Sequence, residues 1–250
     1  MSRPRGSFVW ADLVPGDQDR AIAFYVELLD WWTLKAAPED GGYALAFLGE
    51  QGLEATVGGI SKTIPGVPPV WTPYLATDAI DHTVALAEEH GGRVIMPVHE
   101  AEGMGRVAIV TEPTGVPFGL WESTVNDGFG ATPGPGVFVG LEFSVPDAAA
   151  TAVFFSTLFG LQSTRVDEQA DRIYHRLAMP GEEQPQFAVH ERADAVTSAL
   201  YIQIADADEA TARIARAGGE LTGEPIRQPF GTVLELLDTE GATVRLLELG

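Results

Sequence analysis

The chain has 250 residues, of which 45% are hydrophobic and 20% charged, so it is a globular protein with room for one large or two small domains. Its 36 acidic and 15 basic side chains give a formal charge of −21, which argues against nucleic acid and anionic membranes as partners and leaves room for a small ligand. Cysteine is absent, so disulfides, thiolate nucleophiles and sulfur-ligated metals are excluded, and any metal must use His, Asp or Glu.

In chain order, residues 9–17 alternate as a strand does. Residues 18–31 follow with Ala21, Phe24, Tyr25 and Leu28 at helical spacing, and Asp17 stands where an N-cap belongs. Residues 71–78 read as a strand, 79–90 as a helix closed by Gly91-Gly92, and 105–115 as a strand entering a turn. Residues 126–136, rich in Gly and Pro, read as a linker. The pattern then returns. Residues 139–147 form a strand ending at Asp147, and a helix follows with Thr151, Phe154, Phe155 and Leu158 on one face. Residues 198–206 form a strand, 207–217 a helix closed by Gly218-Gly219, and 231–241 a strand and turn. Asp17 and Asp147 lie 130 residues apart, as do Phe24 and Phe154; Gly105 to Gly231 and Gly115 to Gly241 are each 126.

These matches keep their register, so the chain is read as a tandem duplication. Its expected domains are 1–125 and 137–250, joined by the linker 126–136. The fold class is α+β, with four βαβββ modules. No apolar run approaches the about 18 residues of a membrane span, and residues 1–7 carry no signal-like apolar stretch, so a cytoplasmic location is expected.

The chain resembles the vicinal oxygen chelate superfamily of glyoxalases, bleomycin-resistance proteins and extradiol dioxygenases, and within it the two-domain glyoxalase-like bacterial proteins labelled hydroxylases. The carrying motifs are Asp17 with Phe24-Tyr25, Tyr74 with Asp78 and Gly91-Gly92, the run from Glu112 through Gly115 to Trp121, and their echoes in the second half. The resemblance implies modules pairing into two curved mixed sheets with clefts. It also implies metal ligands at three strand positions per domain. These are occupied here by Trp10, Trp71 and Gly119 in the first half and by Gly140, Ser198 and Arg245 in the second. None is a metal ligand, so neither metal nor any other cofactor is expected. One unusual metal set remains open, namely His175, His190 and Glu142. His82 and His90 read as solvent-facing on a helix, and His99 as lying in a loop.

Strand alternation places Trp10 with Asp12, Gly140 with Glu142, and Gly119 with Trp121. Trp10, Trp71 and Trp121 would form a stacking platform for a flat aromatic ligand, with Tyr43 and Arg106 as hydrogen-bonding groups. Alternatively, the three indoles simply fill a core. In the second half Gly140, Ser198 and Tyr201 would bind a ligand beside Glu142 and Arg245; alternatively, Glu142 and Arg245 are an ion pair that joins strands. The expected catalytic residues are Glu142 and Asp12 as proton carriers and Arg245 as oxyanion stabiliser. The leading expectation is metal-independent acid/base chemistry on an aromatic or polyketide-like metabolite, by cyclisation, isomerisation, elimination or hydration. Sequestration of a drug or metabolite is the alternative, and a metal-dependent glyoxalase or dioxygenase the second. The expected partner is a small organic molecule, and the chain is expected to be a monomer or homodimer.

Overall fold

The computed structural model describes residues 3–37, 41–49, 52–101, 103–125, 127–169, 172–228 and 230–250; Asn126, the first linker residue, lies outside the described residues. The first half runs β1 (Phe8–Val14), α1 (Gln18–Leu29), β2 (Trp32–Lys35), β3 (Ala44–Phe47), β4 (Thr56–Ile60), β5 (Val70–Ala76), α2 (Ile80–Glu89), β6 (Arg93–Ala101), β7 (Gly105–Thr111) and β8 (Pro117–Ser123). The second runs β9 (Phe138–Val145), α3 (Ala148–Phe159), β10 (Gln162–Gln169), β11 (Arg172–Ala178), β12 (Pro185–Glu191), β13 (Thr197–Ile204), α4 (Ala207–Ala217), β14 (Glu220–Leu221), β15 (Ile226–Gln228), β16 (Gly231–Leu237) and β17 (Thr243–Leu249). This is the expected α+β fold of four βαβββ modules. The two sheets run β2-β3-β4-β1-β5-β8-β7-β6 and β10-β11-β12-β9-β13-β17-β16-β14, with β15 added on β16. Both are mixed: β1/β4, β5/β8, β9/β12 and β13/β17 are parallel, whereas the β2–β4, β6–β8, β10–β12 and β16/β17 pairs are antiparallel.

Local chemistry sets the helix ends. Asp17 accepts the N–H groups of Asp19 and Arg20, Asp147 that of Ala150, and Asp206 that of Glu209. α2 departs from this scheme, because Asp78 is not its cap. The Thr77 hydroxyl accepts the Ala79 N–H, and the Glu122 carboxylate accepts that of Ile80. Gly160 and Gly218 close α3 and α4 in the left-handed conformation, and Asp30 closes α1 at φ 56°. Asp30 lies 130 residues before Gly160 and is the one described non-glycine residue at positive φ.

Compactness groups the modules differently from the sheets. Unit 1 comprises Met1–Trp10, Pro73–Gly128 and Gly140–Ala199; unit 2 comprises Ala11–Thr72, Phe129–Val139 and Leu200–Gly250. Each unit takes one module from each half. In unit 1, α2 packs on α3 over a phenylalanine core in which Phe118, Phe143, Phe154 and Phe187 all meet Phe155 or one another. In unit 2, α1 packs on α4, flanked by the Arg213–Asp30 and Arg216–Glu27 ion pairs. The hydrogen bonds that Arg213 donates to Asp30 and Glu209 raise its pKa.

Much of the predicted linker is docked rather than loose. Phe129 stacks on Phe138 at 5.6 Å, Gly130 and Ala131 donate to the Thr56 carbonyl, and Gly136 donates to that of Gln203. A buried Trp31 indole then donates to the Gly136 carbonyl at 2.8 Å.

Candidate functional sites

The cross-strand register determines which side chains share a face. In unit 1, Tyr74 is opposite Gly119, and Trp121 follows two residues along β8 on that same face. The Tyr74 ring lies over Gly119, where a Cβ would fall on it. In unit 2, Tyr201 is opposite Arg245, and Arg245 is opposite Glu235. Arg245 donates to Glu235 at 2.7 Å and to the Tyr201 hydroxyl at 2.6 Å, with its guanidinium 5.3 Å from the Tyr201 ring.

This register corrects two expectations. Trp71 and Ser198 precede Tyr74 and Tyr201 by three residues, an odd step that turns their side chains to the opposite face. Trp71 is 4% exposed and belongs to the unit 2 core, packed against Tyr25, Trp31 and Phe138. Its indole donates to the Tyr25 hydroxyl at 2.7 Å, and Tyr25 donates to Asp238 at 2.9 Å. Burial, then the Asp238 charge, push the Tyr25 phenol well above its usual pKa. Arg106 also leaves the expected face. It is opposite Glu122, one residue beyond Trp121, and it bonds to Glu122 at 2.6 Å and to Asp81 of α2 at 2.7 Å. Those hydrogen bonds raise its pKa further.

Asp12 and Tyr43 meet, as a strand reading alone did not foresee. The β1 residues Phe8, Trp10, Asp12 and Val14 are half-buried, whereas Val9, Ala11 and Leu13 are buried. Asp12 is opposite Gly59 of β4, and Gly59 is opposite Leu45 of β3. Tyr43, two residues before Leu45, reaches over Gly59 and donates its hydroxyl to Asp12 Oδ1 at 2.5 Å.

Glu142 of unit 1 is 8% exposed. It is opposite Ala188, and Ser144 is opposite His190 on the same face. The Ser144 hydroxyl donates to Glu142 at 3.2 Å, and His190 Nδ1 lies 3.7 Å from the same carboxylate oxygen. Tyr174 stacks on His190 at 4.2 Å. His175 cannot join this group, because it is opposite Val189, and its ring faces away to pair with Ser163 at 3.0 Å. His99 lies on β6 rather than in a loop, and its ring nitrogen pairs with the Pro97 carbonyl. Gly140 and Ser198 are half-buried, on β9 and β13. Ser144, Tyr174 and Gly59 are not singled out by the sequence, and Tyr74 reads there only as a motif residue. Each owes its place to a neighbouring strand.

The Glyoxalase/Bleomycin resistance protein/Dioxygenase superfamily model matches residues 7–120 and 138–246. CFP32 of Mycobacterium tuberculosis (strain CDC 1551 / Oshkosh), provisionally named a glyoxylase, is 28% identical over 98% of this chain and 95% of its own. DnrV of Streptomyces peucetius, named an anthracycline biosynthesis protein, is 28% identical over 98% of this chain and 94% of its own. In fold, the chain resembles the Mn(II)-bound glyoxalase from Novosphingobium aromaticivorans, with a TM-score of 0.69 and 16% identity over 98% of this chain and 83% of that one. The residues present here do not fit such an ion. Among the described residues no three His, Asp or Glu side chains converge. No helix of the described residues is long and apolar enough to cross a membrane.

Proposed function

Because the chain belongs to the Glyoxalase/Bleomycin resistance protein/Dioxygenase superfamily, we propose that it transforms a small aromatic or polyketide-like metabolite by metal-independent acid/base chemistry. The reaction would be a cyclisation, isomerisation, elimination or hydration. The observation that carries this reading is Glu142, a nearly buried carboxylate held between Ser144 and His190. A carboxylate in contact with an imidazole can take a proton from a ligand and pass it on. In unit 2, Arg245, aligned by Glu235 and Tyr201, would by itself hold a negatively charged oxygen of a ligand. The name of DnrV supports the substrate class, since anthracyclines are fused-ring aromatic compounds.

The test is to incubate the protein and EDTA with hydroxylated anthraquinone-type ketones and follow products by chromatography and mass spectrometry. An isomer, or a product differing by one water, is expected, with Glu142→Gln lowering its rate at least ~100-fold. A second reading, sequestration of the same ligands, is favoured by the half-buried indoles of Trp10 and Trp121 on β1 and β8. Quenched tryptophan fluorescence with the ligand recovered unchanged would select sequestration and reject catalysis.

A further inference from the structure

The duplication supplies an internal comparison. Gly59 is opposite Asp12 and Leu45 in unit 2; Ala188 is opposite Glu142 and Arg176 in unit 1. Tyr43 lies two residues before Leu45, and Tyr174 two before Arg176. The same strand positions therefore hold a carboxylate, a small residue and a tyrosine in both halves. The small residue's Cβ and the carboxylate's length differ, and so does the residue two beyond the small one, Ser61 against His190. In unit 2 Tyr43 crosses above Gly59 to Asp12, and a Cβ at Gly59 would fall on the Tyr43 hydroxyl. In unit 1 Ala188 has that Cβ, and Tyr174 lies flat on His190.

From this geometry we propose that Asp12 and Tyr43 form a proton-transfer site of their own, assembled by Gly59, that interconverts the keto and enol forms of a carbonyl ligand with an acidic α-C–H. It rests on the metal-independent acid/base reading above, and its residues are separate from Glu142. The Asp12 carboxylate removes the α-proton while Tyr43 gives its hydroxyl proton to the carbonyl oxygen. The C–H bond breaks, an O–H bond forms, and the enol leaves Asp12 protonated and Tyr43 as phenolate. The Asp12 proton then returns to Tyr43 along their hydrogen bond, which restores both groups and needs no oxidant, reductant or co-reactant. Asp12 and Tyr43 are the catalytic residues here; Gly59 is a positioning residue that acts through Tyr43.

The test is deuterium incorporation at the α-carbon of 2-tetralone in D2O with EDTA, followed by proton NMR on the full chain. Wild type is expected to exchange faster than buffer, and Asp12→Asn to lose at least ~100-fold of that acceleration. Tyr43→Phe, which adds no atom and threatens the fold least, is expected to lose most of it. Gly59→Ala is expected to lower exchange in the wild-type background and to have no further effect beside Tyr43→Phe; a merely structural glycine would give additive losses. Acceleration that survives Asp12→Asn overturns this site and leaves Glu142 as the proton carrier. Exchange no faster than buffer also overturns it, while the anthraquinone turnover test judges the broader reading separately.

Discussion

Tyr25→Phe removes one oxygen from the centre of unit 2 and leaves the ring in place. That ring stacks on Trp31 at 5.6 Å and meets Trp71 edge-on at 5.3 Å, so the substitution opens no large cavity. It breaks two hydrogen bonds at once, from the Trp71 indole and to the Asp238 carboxylate. Both partners stay buried, at 4% and 5% exposure. An unsatisfied buried donor or acceptor costs about 1–3 kcal/mol, so the variant should lose about 2–6 kcal/mol. For a chain of this length that lowers the midpoint of thermal unfolding by roughly 5–15 °C. The pH dependence has a definite sign. The folded-state pKa of Tyr25 is raised above its unfolded value of about 10, so its contribution is fully present below pH 10. Above pH 10 the unfolded chain ionises first, and wild type loses about 1.4 kcal/mol per pH unit from this residue until the folded phenol itself ionises. Tyr25→Phe lacks that component of the slope. Urea unfolding followed by tryptophan fluorescence between pH 7 and 11 measures both effects. A variant within roughly 0.5 kcal/mol of wild type at pH 7 would refute the reasoning.

Glu112, fully buried in unit 1, accepts hydrogen bonds from the Thr114 N–H and hydroxyl, the Val116 N–H and the Thr151 hydroxyl. Glu112→Ala should cost about 3–5 kcal/mol in guanidinium unfolding, and Glu112→Gln, which keeps one acceptor oxygen, distinctly less; equal losses would contradict this account. Gly219 lies so close to Phe24 that an added Cβ would come within 2.6 Å of its ring, so Gly219→Ala should lose about 1–3 kcal/mol in the same assay. Dialysis against EDTA should leave the thermal midpoint unchanged, because no set of described donors fits a divalent ion. A fall in the midpoint that added Mn(II) restores would overturn the metal-independent reading.

Sequence by itself determined the duplication, the four modules and most helix starts, because these depend on local signals. Asp17, Asp147 and Asp206 cap helices through their own next turns, and Gly91 and Gly218 close α2 and α4 through backbone freedom. Facing was harder. Counting placed Trp71 and Ser198 beside the ligand positions, but an odd step along a strand reverses the face, and only the observed pairing revealed that Tyr74 and Tyr201 are opposite Gly119 and Arg245. Arg106 moved for the same reason, drawn to Glu122 and Asp81. Tertiary structure alone decided that each compact unit takes one module from each half, since the partner of α1 begins 178 residues after Leu29 and that of α2 begins 59 residues after Glu89. It decided, too, that Tyr43 reaches Asp12 while Tyr174 lies on His190. A glycine or an alanine reads in sequence as little more than a small residue. Its effect depends on what passes above it, and that is known only when three strands are side by side.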